Sequence, residues 1–178
     1  MREEYQRVFA TVDLDAICSN MEKMKANVAE HTKLIGVIKT DGYGHGAVPI
    51  ARELEKLPFV WGYATATAEE AFILRHDEMK KPILILGYTF PYSYERLITE
   101  EIRMAVFRKD MLLQLSEKAR RLGKKAKIHI KVDTGMGRIG VRPDQEGLEF
   151  VKEAFQTPGI EVEGIFTHYA RADEADIT

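Results

Sequence analysis

The sequence predicts an α/β fold, a (β/α)8 TIM-type barrel left incomplete in this chain, with about six βα units. Three observations carry that expectation. Short apolar runs alternate with helix-like stretches along the 178 residues. The runs recur about every 25 residues, the compact spacing of parallel βα units. One of them, Ile128-His129-Ile130-Lys131-Val132-Asp133, is apolar at even positions and polar at odd ones. Alternation and spacing fit either a doubly wound open sheet or a barrel, but a central strand of an open sheet with helices on both faces is apolar on both. Polar residues on one face suit a barrel wall turned inward, although an edge strand gives the same pattern.

In chain order, an opening helix is expected over 16–30, with Asp13 or Asp15 as its cap. Strands are expected to begin near Leu34 (LIGVIK), Trp61 (WGYATAT), Pro82 (PILILGY), Ile102 (IRMAVFR), Ala126 (AKIHIKVDT) and Ile160 (IEVEGIFTH). Helices are expected between them over 47–57, 68–75, 92–101, 110–122 and 145–155. The clearest lies in KDMLLQLSEKARRLG, where apolar residues recur at helical spacing, Asp110 is placed as a cap and Gly123 as a stop. Only ten residues follow His168. Two further units would need roughly 50, and a closed barrel typically takes over roughly 200. Residues 1–178 therefore read as one barrel domain that ends before closure.

Composition narrows the function. The formal charge is −2, which argues against a basic nucleic-acid binder or a membrane-surface protein. Hydrophobic residues at 45% and charged residues at 30% argue against wholesale disorder. A single cysteine, Cys18, favours a reducing compartment. No apolar run approaches the ~20 residues of a membrane span, and the opening Met1–Tyr5 is charged rather than apolar. Cytoplasm is the expected location. The five histidines show no metal-ligand spacing, so no metal is expected.

The most informative segment is Val37-Ile38-Lys39-Thr40-Asp41-Gly42-Tyr43-Gly44-His45-Gly46. An apolar strand ends in a lysine, then a glycine-rich turn carries a tyrosine and a histidine. Ligands of parallel α/β folds bind at the carboxyl ends of strands, where Lys39 falls. A lysine there serves as nucleophile or base when its amine is desolvated. From spacing alone, a surface lysine beside an ordinary turn is the commoner case. Gly135-Met136-Gly137-Arg138-Ile139-Gly140 fits the dinucleotide pattern G-x-G-x-x-G. That motif needs a helix opening inside it, and here Val141-Arg142-Pro143 follows instead.

The whole strings say more. K-T-D-G-Y-G-H-G resembles the K-A-[DN]-A-Y-G-H-G signature of the alanine racemase family, pyridoxal-phosphate enzymes of fold type III. Thr40 and Gly42 depart from it. Lys131 to Gly140 is similar to the family's K-x-D-T-G-M-x-R-x-G, and Gly164 to Ala170 with Ala172-Asp173-Glu174 to its G-x-x-[ST]-H-[FL]-A…A-D-E. Val12-Asp13-Leu14-Asp15-Ala16-Ile17 with Asn20 resembles its opening.

This resemblance implies an isomerase that interconverts L- and D-alanine on pyridoxal 5'-phosphate and supplies D-alanine for peptidoglycan. Lys39 resembles the lysine that bonds the cofactor and moves the α-proton, and Tyr43 the tyrosine that reaches its phosphate. Arg138 resembles the arginine near the substrate carboxylate, Lys131 the lysine often carbamylated, and His168 the histidine beside the pyridine ring. His45, Gly44 and Gly46 read as loop supports, and Trp61 and Met136 as packing residues. The resemblance also implies that residues 1–178 are the N-terminal, pyridoxal-phosphate-binding portion of such a protein. In that family a β-rich C-terminal domain supplies a tyrosine as second base across a homodimer. The alternatives are a serine or broad-specificity racemase, or a non-catalytic pyridoxal-phosphate carrier.

Overall fold

The computed structural model describes residues 8–174; Met1–Tyr5 lie outside them. Six parallel strands form one sheet in chain order, β1 (Leu34–Val37), β2 (Val60–Thr65), β3 (Ile83–Ile85), β4 (Arg103–Val106), β5 (Ala126–Val132) and β6 (Ile160–Thr167). Seven helical segments alternate with them: α1 (Leu14–Ala26), α2 (Lys39–Tyr43), α3 (Ala47–Glu55), α4 (Ala68–His76), α5 (Tyr94–Thr99), α6 (Lys109–Arg121) and α7 (Gln145–Gln156). Six βα units are the expected arc of a barrel wall, and β1 and β6 are its two edges.

Local chemistry starts and stops these elements. Asp13 caps α1, accepting from Ala16 N–H at 2.9 Å, and Asp144 caps α7, accepting from Gly147 N–H at 2.9 Å. Helix α6 buries Met111, Leu112, Leu115 and Ala119 on one stripe and ends before Gly123, whose φ of +62° suits glycine. The core lies between the outer sheet face and the helices, where Leu54, Leu74, Ile83, Ile85, Leu97, Leu112 and Ile128 are buried.

Three expectations are corrected. Asp110 is not the cap of α6: Arg108 holds that position, and Asp110 sits in the first turn, paired with Arg108 at 2.8 Å. The opening helix ends at Ala26 rather than 30, because Lys25 Nζ folds the chain beyond it by donating to the carbonyls of Ala29, Glu30 and Thr32. The stretch over 92–101 opens as a 3-10 turn at Pro91–Ser93 before α5.

The alternating strand β5 turns its polar face inward, as the barrel reading requires. His129 packs 5.7 Å from the Trp61 ring of β2 and 6.3 Å from the Phe166 ring of β6. Trp61 thus lines the interior with polar neighbours instead of filling the outer core.

Candidate active site

Lys39 stands two residues beyond β1, at the carboxyl end of the sheet, with its side chain half-buried. The segment after it is not an ordinary turn. Thr40, Asp41, Gly42, Tyr43 and Gly44 all have positive φ, between 51° and 82°, so α2 is a turn of left-handed helix. Its bonds run Gly42 N–H to Ile38 O at 3.0 Å and Gly44 N–H to Thr40 O at 3.1 Å. This hand costs about 1–2 kcal/mol per non-glycine residue, so neighbours must hold it.

Those neighbours are visible. Asp41 accepts from Ala47 N–H at 2.8 Å, tying the turn to the start of α3. His45 Nδ1–H donates to the carbonyls of Gly42 and Tyr43, each at 3.1 Å. Thr40 N–H donates to Glu70 of α4 at 2.9 Å. At Gly42 an added Cβ would lie 2.9 Å from Ile50 Cδ1 and 3.2 Å from Ala47 N, so glycine suits the tight packing at this departure from the family string. The turn brings Tyr43 back beside the lysine: Lys39 Nζ is 5.8 Å from the Tyr43 ring centre, and the tyrosine is 58% exposed.

A second group gathers at the ends of β5 and β6. Lys131 is only 4% exposed; its Nζ donates to Val132 O at 2.7 Å and lies 5.6 Å from the Phe166 ring centre. Burial pushes its amine below the usual lysine range; Asp133 opposes this and Arg138 adds to it. Asp133 organises the loop that follows. It accepts from Gly135 N–H at 3.1 Å and Gly137 N–H at 3.0 Å, and these bonds hold its carboxyl below the usual range. Backbone bonds from Val141 N–H to Lys131 O and from Asp133 N–H to Val141 O close the loop at its base. At Gly140 a Cβ would sit 2.5 Å from Asp133 N, so only glycine permits that closure.

Arg138 is displayed on this loop with its side chain in solvent. Thr134 pairs with Thr167 at 2.7 Å, and Thr167 donates to Val132 O at 2.9 Å. These bonds tether the loop to the end of β6, where exposed His168 follows. Lys39 with Tyr43 thus occupies one edge of the arc, and Lys131, Arg138 and His168 the other. Among the described residues no hydrogen bond or ion pair joins the two groups. No helix opens inside Gly135–Gly140; α7 begins at Gln145, so the dinucleotide pattern lacks its structural partner.

Residues 12–178 match the family model of the alanine racemase N-terminal domain. The chain belongs to that family. An alanine racemase of Clostridium perfringens (strain SM101 / Type A) is 45% identical over 171 residues, covering 96% of this chain and 44% of that protein. The solved alanine racemase of Clostridium difficile 630 in complex with cycloserine has a TM-score of 0.93 at 39% identity, covering 97% of this chain and 47% of that one. A histidine racemase from Leuconostoc mesenteroides subsp. sake has a TM-score of 0.81 at 27% identity, covering 92% and 44%. This chain spans less than half the length of these relatives.

Reading the sequence passed over two carboxylates of this racemase-family barrel. Asp133 was visible inside its motif, but its work is done through backbone N–H groups that no spacing reveals. Glu70 lies 30 residues from Thr40, and its signal, a Thr-x-x-Glu string at 67–70, is that of an ordinary helix start.

Proposed function

We propose that this chain is the N-terminal barrel portion of a pyridoxal-phosphate-dependent alanine racemase, working in the cytoplasm as a homodimer and supplying D-alanine for peptidoglycan. The observation that supports it most is Lys39, set at the carboxyl end of β1 by a left-handed turn, in a chain of the alanine racemase family. The residues present fit the cofactor. Lys39 offers an amine at the carboxyl end of β1, exposed Arg138 offers a cation to an anionic group, and Tyr43 adds an exposed phenol on the lysine's own turn.

When bound, pyridoxal phosphate supplies an electron sink that makes the α-hydrogen of an amino acid removable as a proton. Lys39 Nζ then takes or returns that proton on one face. Tyr43 would hold the phosphate through its hydroxyl, Arg138 would pair with the substrate carboxylate, and His168 would flank the ring. Inversion at Cα needs a second base on the opposite face, and this reading places it in the part of the protein outside the chain. The histidine racemase of the same architecture favours a second reading in which a different amino acid is the substrate.

The test uses the full-length gene product with pyridoxal phosphate. Borohydride reduction and peptide mapping are expected to place the cofactor on Lys39, and L-alanine is expected to interconvert with D-alanine. Label on another lysine, with Lys39 unmodified, overturns the lysine assignment. Turnover of histidine or serine in preference to alanine selects the second reading.

A further inference from the structure

We infer that Glu70 is a positioning residue for Lys39, its carboxylate fixing the left-handed turn that aims the lysine. The inference rests on the reading of Lys39 given above. Ile38 N–H still bonds to Ala64 O at 3.0 Å, keeping β1 and β2 together at their carboxyl ends. Two residues further along each chain, the Thr40 and Ala66 N–H groups lie beyond the strands. Glu70 accepts from both, through Oε1 at 2.9 Å from Thr40 N and Oε2 at 2.7 Å from Ala66 N. One carboxylate thus bridges the loops that leave the two strands.

A capping role alone does not explain this arrangement. Thr67 caps α4 and accepts from Glu70 N–H, so 67–70 has the string of a capping box. In that box the glutamate reaches back to the N–H of the cap residue itself. Here it reaches past Thr67 to Ala66 and across to Thr40. Thr40 follows Lys39 directly and is the first residue forced to positive φ, at 51°. A bond to an ionised carboxylate is roughly twice as strong as a neutral one, and this one acts where the backbone reverses hand. Loss of it frees Thr40 to relax toward negative φ and swings the Lys39 side chain with it.

The substitution Glu70→Gln keeps the size but leaves one acceptor, and sets an NH2 against a backbone N–H. The full-length gene product with pyridoxal phosphate is compared with E70Q, E70D and T67A. T67A removes the cap of α4 and its bond from Glu70 N–H but keeps the Glu70 carboxylate, so it reports on the capping role apart from the carboxylate bridge. A misplaced reacting group costs about 10²-fold, so E70Q is expected to lower kcat about 10²-fold. Because the loss falls on the chemical step, KM should move less than about threefold. E70D, whose shorter reach cannot span both loops, is expected to lose kcat likewise. T67A is expected to keep kcat even where its unfolding midpoint falls as far as that of E70Q. The pH midpoint of the visible absorption is expected to shift in E70Q and E70D but not in T67A.

Wild-type kcat and an unmoved absorption midpoint in E70Q and E70D overturn the role of Glu70. Losses in E70Q and E70D no larger than those of T67A overturn it equally. Borohydride labelling separates the two claims. Label on Lys39 in the wild type, with kinetically silent Glu70 variants, sinks the positioning role alone. Label elsewhere sinks the Lys39 reading and this inference together.

Discussion

Arg103 on β4 and Glu163 on β6 meet fork to fork across the strand between them, Nε to Oε2 at 2.6 Å and Nη2 to Oε1 at 2.9 Å. The pair is 60 residues apart in sequence. Its side chains are only 10% and 19% exposed, and the guanidinium carbon lies 5.8 Å from the Trp61 ring centre. His129 of β5 completes the cluster, with Nε2 4.0 Å from Glu163 and no hydrogen bond of its own. Burial keeps this imidazole below its ordinary pKa; Glu163 opposes the shift and Arg103 adds to it.

Removing one partner leaves a charge without compensation. Glu163→Ala is expected to destabilise the full-length protein by about 3–5 kcal/mol, the cost of stranding a buried cation. The double change Arg103→Met with Glu163→Leu is expected to cost less, because no charge is stranded. Urea unfolding of the two variants checks this, and equal losses would count against a buried pair.

Lys131 should respond to pH and carbon dioxide together. Its amine is pushed down, so its neutral form gains population at lower pH than for a surface lysine. The neutral nitrogen attacks carbon dioxide and releases a proton, giving a carbamate anion beside Arg138 in place of a cation. Occupancy should therefore rise with pH and saturate earlier than for an ordinary lysine. A carbon-13 carbamate signal from labelled bicarbonate, absent in Lys131→Ala, is the measurement. Activity in that variant is expected to fall about tenfold, equivalent to about 1.4 kcal/mol in the barrier.

Residues 1–178 expressed alone should not behave as a closed barrel. The two edge strands carry unpaired backbone groups, and Ile35 and Val37 on β1 and Ile165 on β6 are exposed. Strand number, tilt and stagger are coupled, so six strands do not close the gap by bending. Sedimentation is expected to show self-association, and alanine racemisation with added pyridoxal phosphate to be undetectable. A cooperative monomer that racemises alanine at an enzyme-like rate would refute this.

The sequence made the order of elements legible because each strand is a short apolar run and each helix an amphipathic one. The inward face of β5 was legible too, since His129 and Lys131 alternate with isoleucines. The left-handed turn after Lys39 was not. Thr40 and Tyr43 carry no local preference for that hand, Asp41 only a weak one, and contacts to Ala47 and Glu70 from other elements hold it. Arg103 with Glu163 was hidden for the same reason: pairing across 60 residues depends on strand register. Asp110 misled because an acidic residue suits both the cap and the first turn of a helix.

The order β1 to β6 in space is the order of synthesis. Each strand after β1 docks on the one made just before it. Such a layout keeps loop-closure entropy low and favours quick, stepwise accretion. At translation rates of about 5–20 residues per second, a new βα unit emerges every few seconds. That interval is long beside helix and hairpin formation, so the wall can grow on the ribosome one unit at a time. The side that must wait is β1, whose outer edge stays unpaired while the other five strands are added. A chaperone that binds exposed strand edges would find its longest-lived target there, beside Lys39.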